Sequence, residues 1–204
     1  MPIRDCIVLA VEGTQAAGKT TLVHALTAHY RELGIHVECT GEPARVSPFL
    51  EAITLHHDGE FDLTAELDLF AAQLTAALRA TRNHRLLICD KTPANVLAYA
   101  RLVLDQSDPQ VTQVLEAIEA LCRAWMPNAY DAVVYCRDRF DQQAGGDHYR
   151  DKVLHLQAQV DDAVYDALTQ TGVKLLDLPS GIDTTSRVRW IADRVTDLGL
   201  LIAS

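Results

Sequence analysis

Gly13-Thr14-Gln15-Ala16-Ala17-Gly18-Lys19-Thr20 satisfies every fixed position of the phosphate-binding loop pattern G-x-x-x-x-G-K-[ST]. The apolar β-type run Cys6-Ile7-Val8-Leu9-Ala10-Val11 precedes it, and Thr21-Leu22-Val23-His24-Ala25-Leu26 follows with helical spacing of apolar residues. This is the strand, loop, helix context in which the pattern works. The glycines allow the backbone to wrap a phosphate with successive N–H groups pointing inward at a helix N-terminus, where the dipole favours anions. The segment predicts a nucleoside triphosphate held by residues Gly13, Thr14, Gln15, Ala16, Ala17, Gly18, Lys19, Thr20 and Thr21. Lys19 reaches the β- and γ-phosphates in this arrangement, and the Thr20 hydroxyl takes one position on Mg²⁺.

Bulk properties narrow the use made of that nucleotide. A chain of 204 residues makes one ordinary α/β domain, 1–204, with a full hydrophobic core. A hydrophobic content of 49% with 23% charged residues excludes a disordered chain. The net charge of −10 argues against a protein whose main task is gripping nucleic acid, yet leaves room for an anionic small molecule bound by a few local bases. The five cysteines, Cys6, Cys39, Cys89, Cys122 and Cys136, lack C-x-x-C spacing, which suits buried, reduced thiols and a cytoplasmic location. No apolar run approaches the roughly eighteen residues of a membrane span, and no signal pattern precedes the first strand.

Along the chain, strands are expected over 5–11, 35–40, 85–90, 131–137 and 173–178, and helices over 19–33, 47–57, 62–83, 94–105, 110–124, 150–171 and 184–198. Asp108-Pro109 reads as a cap followed by a first-turn proline, and Gly34 and Gly172 stand where helices should end. Short β runs separated by helices predict a five-stranded parallel sheet with helices on both faces, a three-layer α/β architecture. Ligands of such sheets gather at the carboxyl ends of the strands, here just after residues 11, 40, 90 and 137.

Each strand end carries a chemical candidate and a plainer alternative. Glu42, in Thr40-Gly41-Glu42-Pro43-Ala44-Arg45, is placed to act as general base for a substrate hydroxyl, or to hold Mg²⁺ through water; it equally reads as a loop acid capping the helix near Ser47. Asp90 closes the apolar run Leu87-Ile88-Cys89, the position for an acid in a Mg²⁺ shell, and Lys91 beside it can neutralise a transferring phosphoryl group. A strand-end Asp starting a turn is the alternative. After 131–137 come Arg137, Arg139 and Arg150 around Gly145-Gly146, which fits a lid over about 137–150 closing on the triphosphate; a mobile loop with surface ion pairs fits the same composition. Phe49, Phe70, Tyr99 and Trp125 offer rings to a base or to the core. His56, His57, His148 and His155 lack metal-ligand spacing, and Glu116 with Glu119 reads as a solvated helix face.

Val11-Glu12-Gly13-Thr14-Gln15-Ala16-Ala17-Gly18-Lys19-Thr20-Thr21-Leu22 resembles the opening of the deoxynucleoside kinases, with its E-G-x-x-A-A-G-K-S-T segment. Glu42-Pro43-Ala44-Arg45 is similar to their E-P-x-A-R segment, whose glutamate is the general base on the sugar hydroxyl, and Asp90-Lys91-Thr92 stands where they carry an acid-Arg-Ser triplet. Leu69-Phe70-Ala71-Ala72, Asp90-Lys91 and Leu97-Ala98-Tyr99 resemble the L-F-A-A, D-R and L-A-Y series of the thymidylate kinases, and Met126-Pro127-Asn128-Ala129-Tyr130-Asp131 their P-D segment. The tail from Tyr149 to Arg194 is similar to P-loop proteins of the nicotinamide riboside kinase type. The resemblance implies a P-loop NTPase fold and a nucleoside or nucleotide kinase. It also implies substrate contacts from Glu42, Arg45, Phe70, Gln73 and Tyr99, with Gln73 reading a base edge unless it is a helix-surface amide.

Lysine at 91 keeps the charge of the family arginine and loses its bidentate fork. Leu74 and Gly41 occupy positions where thymidylate kinases carry cations, which disfavours a monophosphate acceptor. The expected function is therefore transfer of the γ-phosphate of Mg-ATP to a hydroxyl of a nucleoside-like small molecule. Glu42 serves as base; Thr20 and Asp90 hold the metal; Lys19, Lys91, Arg137, Arg139 and Arg150 offset charge. A thymidylate-type monophosphate kinase, a kinase of a non-nucleoside metabolite or antibiotic, and a regulatory ATPase acting through a partner remain open. A homodimer through the 47–83 helices fits the family, with no nucleic-acid or membrane partner.

Overall fold

The computed structural model describes residues 5–13, 16–41, 47–55, 61–138 and 157–200. Five strands, β1 (Ile7–Gly13), β2 (Val37–Thr40), β3 (Leu86–Asp90), β4 (Ala132–Cys136) and β5 (Leu175–Asp177), form one sheet in the order β2-β3-β1-β4-β5. Every pairing is parallel, as the alternating strand and helix pattern predicts. The helices are α1 (Lys19–Glu32), α2 (Pro48–Leu55), α3 (Leu63–Ala80), α4 (Pro93–Val103), α5 (Pro109–Ala129), α6 (Gln157–Thr171) and α7 (Thr184–Asp197).

A sheet covered on both faces needs strands that are apolar on both faces, and β1, β3 and β4 are buried nearly throughout. Alternation divides the core. Val8, Ala10, Leu87, Cys89, Val133 and Tyr135 pack with α3, α4, α5 and α6, whereas Leu9, Val11, Leu86, Ile88, Val134 and Cys136 pack with α1 and α7. The chain leaves β1 for the edge strand β2, returns through β3, and then crosses to β4 on the far side of β1. The carboxyl end of β1 is thus the point where the winding reverses, and a crevice opens there in such sheets.

Predicted and observed boundaries differ mostly by the residue or two that fraying ends allow. Helix α5 differs more: it runs to Ala129 rather than stopping at 124, with Pro127 inside it. Met126 and Ala129 are buried, so the last turn is anchored by packing, and the Asn128 side chain donates to Ala124 O at 3.3 Å. Asp108 caps α5 by accepting from Gln110 N at 2.8 Å, and Gly34 and Gly172 follow α1 and α6 with φ of 76° and 75°. Residues 150–156 of the predicted sixth helix lie outside the described residues.

Two surface expectations are corrected. Glu119 is not a solvated face: its carboxylate is held by Arg101 of α4 and Arg123 of α5. Phe49 is 41% exposed rather than core. Among the described residues, cysteines 6, 39, 89, 122 and 136 form no disulfide, and all but the half-buried Cys39 are buried. Among the described residues no helix is long and apolar enough to cross a membrane, and no cluster of ligands could hold a structural metal.

Candidate active site

Strand β1 delivers the loop. Gly13 pairs with Cys136 of β4 at φ 131°, and a Cβ there would stand 2.2 Å from the Cys136 carbonyl oxygen, so the position requires glycine. Gly18 takes φ 75° as the residue before α1. Lys19 is the first residue of α1 and only 8% exposed, which places its ammonium at the helix N-terminus within the fold.

Asp90 comes from the end of β3, in register with Val11. Its Oδ2 accepts the Thr20 hydroxyl at 2.7 Å, and its Oδ1 is buried with no hydrogen-bond partner among the described residues. The two residues expected to hold a metal are thus in contact across the loop. Lys91 follows in a left-handed conformation, φ 73°, donating its N–H to Val11 O at 3.1 Å. That conformation is uncommon outside glycine and is kept by hydrogen bonds on both sides of the peptide. The second bond comes from Gln73: its Nε2 donates to Lys91 O at 2.9 Å and reaches Asp90 O at 3.5 Å. Gln73 is therefore buried, not a surface amide.

Glu12, which the strand-end argument passes over, is at the centre of this arrangement. It is fully buried, and its Oε1 accepts the Thr92 N–H at 2.6 Å and the Thr92 hydroxyl at 2.7 Å. Oε2 accepts Asn95 Nδ2 at 2.9 Å. Thr92 precedes α4 without a side-chain cap bond, and the Glu12 carboxylate fixes that residue through its N–H and hydroxyl and the first turn through the Asn95 side chain. Burial pushes the Glu12 pKa up, while the Thr92 hydroxyl, the Lys19 charge, the Thr92 N–H and Asn95 pull the other way. The signal in the sequence is a lone acid ending a strand of otherwise apolar residues; a carboxylate tolerated there must be saturated with donors.

A second brace comes from α7. Arg187 is 2% exposed and donates from Nη1 to Ala17 O at 3.0 Å, from Nε to Ile182 O at 3.2 Å, and from Nη2 to Asp138. Asp138 in turn accepts the Gly181 N–H at 3.1 Å. The loop backbone is thus tied to the segment after β4 and to the turn before α7. No short motif announces Arg187, because its partners are backbone atoms distant in sequence.

The remaining candidates are dispersed. Arg137 sits 4.1 Å from the Tyr165 ring centroid and 5.2 Å from that of Tyr135, and pairs with Asp177 at 3.4 Å, beside β5 and α6. Phe70 is buried in the core beneath α3, and Tyr99 packs partly buried against the same core. Thr21 is exposed on α1, whereas Ala16 (φ 60°) and Ala17 lie in the loop. Thr14, Gln15, Glu42, Arg45, Arg139 and Arg150 lie outside the described residues, as does the predicted lid beyond 138. Helix α2 begins after Ser47, whose hydroxyl faces Leu50 N at 3.5 Å and donates to Asp68 at 2.8 Å.

On α3, Glu66 is 3% exposed and its Oε2 has no partner among the described residues. Burial, helped by the charge of Asp62, raises its pKa from 4.5 to about 7. Below the lower value the carboxyl is protonated whether the chain is folded or not. As pH rises from there, the unfolded chain ionises first, so stability falls until the folded group has also titrated. Glu66→Gln is expected to flatten the pH dependence of unfolding between pH 4.5 and about 7. At pH 8 the variant gains on the order of 3 kcal/mol, with little change at pH 4. Chemical denaturation of both proteins across that range reads the effect; parallel curves would contradict it.

Residues 8–184 match the AAA domain family model. The chain belongs to that family. This AAA-domain chain is 31% identical over 123 residues to a thymidylate kinase of Syntrophotalea carbinolica, covering 56% of the chain and 57% of that relative. A thymidylate kinase of Geobacillus thermodenitrificans is 33% identical over 96 residues, 43% of each. The chain thus spans about half the length of the curated relatives it matches. In fold it is similar to thymidylate kinase from Candida albicans (TM-score 0.69, 16% identity, 96% of this chain and 93% of that one). It is also similar to deoxyadenosine kinase from M. mycoides with bound dATP (TM-score 0.64, 14% identity, 93% and 100%). The NadR protein in complex with NR matches over 97% of this chain and 52% of its own length, with TM-score 0.69 and 18% identity. The architecture of this AAA-domain protein is the α/β P-loop fold of the nucleotide kinase group, as the loop and the parallel sheet led one to expect.

Proposed function

We propose that the protein is an ATP-dependent phosphotransferase that moves the γ-phosphate of Mg-ATP to a hydroxyl of a nucleoside-like small molecule. The observation that carries this reading is the contact of Thr20 with Asp90 at 2.7 Å beside the buried Lys19. A carboxylate oxygen buried without a partner is costly, and Asp90 Oδ1 next to a hydroxyl is the kind of hard-oxygen pair that fits a divalent cation. Thr20 and Asp90 would hold Mg²⁺, which would offset negative charge on the phosphates. The loop amides and Lys19 bind and orient the triphosphate. Glu12, saturated by Thr92 and Asn95, and Arg187, bonded to Ala17, keep the loop in place so that little reorganisation is needed on binding. Lys91, at the strand end beside Asp90, adds positive charge near the transferring group.

Glu42 is assigned the proton of the acceptor hydroxyl, two residues beyond the end of β2. Glu42→Gln is expected to lower phosphoryl transfer by about 10²-fold or more while ATP binding persists. The assay is Mg-ATP consumption with product mass over nucleosides, nucleoside monophosphates and unrelated alcohols. Loss of ATP binding together with turnover would remove Glu42 from the role of base.

A thymidylate-type monophosphate kinase is the second reading, favoured by the 31% identity to a thymidylate kinase. Leu74 and Gly41, at positions without charge, weigh against a phosphorylated acceptor. Turnover confined to monophosphates in the same panel would select it.

A further inference from the structure

Helix α7 buries Arg187, Val188, Ile191 and Val195, and the three aliphatic residues pack into the core shared with α1. The arginine among them is 2% exposed. Taking its charge out of water is costly, and a buried ion pair with Asp138 recovers that cost poorly; an apolar side chain on this face would pack as well or better. Stability therefore does not account for the arginine, and its partners do. Nε donates to Ile182 O at 3.2 Å in the turn before α7, Nη2 to Asp138 just past β4, and Nη1 to Ala17 O at 3.0 Å in the phosphate-binding loop. A planar fork with donors in fixed directions ties three segments at once, which a point-like ammonium does not. Asp138 is itself anchored, each of its oxygens lying 3.1 Å from the Gly181 nitrogen.

The Ala17 carbonyl is the consequential partner. In a planar trans peptide a carbonyl and the following N–H point in opposite directions. Holding Ala17 O against α7 therefore turns the Gly18 N–H away from α7. Gly18 is the residue before α1, with φ 75°, and its own carbonyl accepts from Leu22 N at 3.0 Å to begin the helix. Its N–H thus belongs to the donors of a helix N-terminus, where an anion is favoured. Glycine tolerates rotation about both of its backbone bonds, so the bond on Ala17 O is what opposes a flip of this peptide plane. A flipped plane would offer the phosphates a carbonyl in place of a donor.

Resting on the nucleotide-binding half of the phosphotransferase reading, we propose that Arg187 is a positioning residue for phosphate: through Ala17 it keeps the Gly18 N–H aimed at a phosphate group of the bound nucleotide. The interaction it secures is made alike in the ground state and during transfer, so Arg187 sets nucleotide affinity and leaves the chemical step alone.

Calorimetry on the full chain tests this with Mg-ADP and with Mg-tripolyphosphate, which carries phosphates and no base. Arg187→Met is expected to weaken both by about 10-fold or more, the scale of one hydrogen bond to a charged group. Arg187→Lys, which keeps a charge for Asp138 and lacks the fork, falls between it and wild type. Joining Arg187→Met to Asp138→Asn removes the unpaired buried carboxylate and gives a second variant for the same measurement, with thermal unfolding as the check of fold. Ile191→Ala, one turn along the same buried face, is the control: it lowers stability and leaves affinity unchanged. The chain has ten glycines, few enough for glycine-selective isotope labelling to resolve the Gly18 amide. That resonance is expected to shift on adding Mg-ADP in wild type and to lose most of the shift in Arg187→Met. In turnover, KM for ATP rises about 10-fold while kcat and the acceptor KM hold. Wild-type affinity for both ligands in a folded Arg187→Met chain overturns the proposal, as does an equal loss in Ile191→Ala. Arg187-dependent binding without phosphoryl transfer to any acceptor would instead sink the phosphotransferase reading and leave this inference standing.

Discussion

Lys19→Met is expected to lower ATP-dependent turnover by about 10³-fold, equivalent to roughly 4 kcal/mol of transition-state stabilisation. Lys19 sits at the start of α1, 8% exposed, where water screens its charge poorly. An ammonium in that position stabilises negative charge gathering on the phosphates, and no reorganisation is needed as the reaction proceeds. Methionine keeps the stem and its packing while deleting the charge. The variant should therefore retain its fold, and single-turnover rates with saturating Mg-ATP separate chemistry from binding. Turnover within a few-fold of wild type would take the loop out of the reaction and revive the regulatory-ATPase alternative.

Gly13→Ala is expected to destabilise the protein by about 4 kcal/mol, combining overpacking with a strained backbone. The new Cβ would stand 2.2 Å from the Cys136 carbonyl oxygen, a backbone atom fixed by the β1–β4 ladder, and φ at residue 13 is 131°. For a chain of this size such a loss lowers Tm by about 12 °C. Gly34→Ala is the matched control, since its φ is 76° but nothing lies within 4 Å of the added Cβ. It should cost only the backbone strain, about 1 kcal/mol. Equal losses in the two variants would show that the close approach of β1 to β4 is not what demands glycine at 13.

These two residues also mark how far the sequence could be read. The loop, its strand and its helix were legible because each rests on local chemistry: glycines where the backbone turns, a lysine and a threonine at a helix start, apolar runs of strand length. Asp90 was legible for a related reason, as an acid closing an apolar run, and the sheet register puts it against Thr20. Helix α5 was drawn too short because Pro127 is a local signal, and the burial of Met126 and Ala129 that overrides it is not local. Gln73 was read as either a base reader or a surface amide, and its donors instead meet Lys91 and Asp90.

What the sequence alone determined is the parallel α/β sheet, the position of the phosphate-binding loop and the strand ends where chemistry gathers. All follow from period, composition and residues adjacent in the chain. The tertiary structure decided which charges are buried and what satisfies them. Glu12 is held by residues 80 and 83 positions away, Arg187 by a carbonyl 170 positions away, and Glu66 keeps an oxygen with no partner among the described residues. Those outcomes depend on desolvation and on hydrogen bonds between segments that only folding brings together, and no local pattern encodes them.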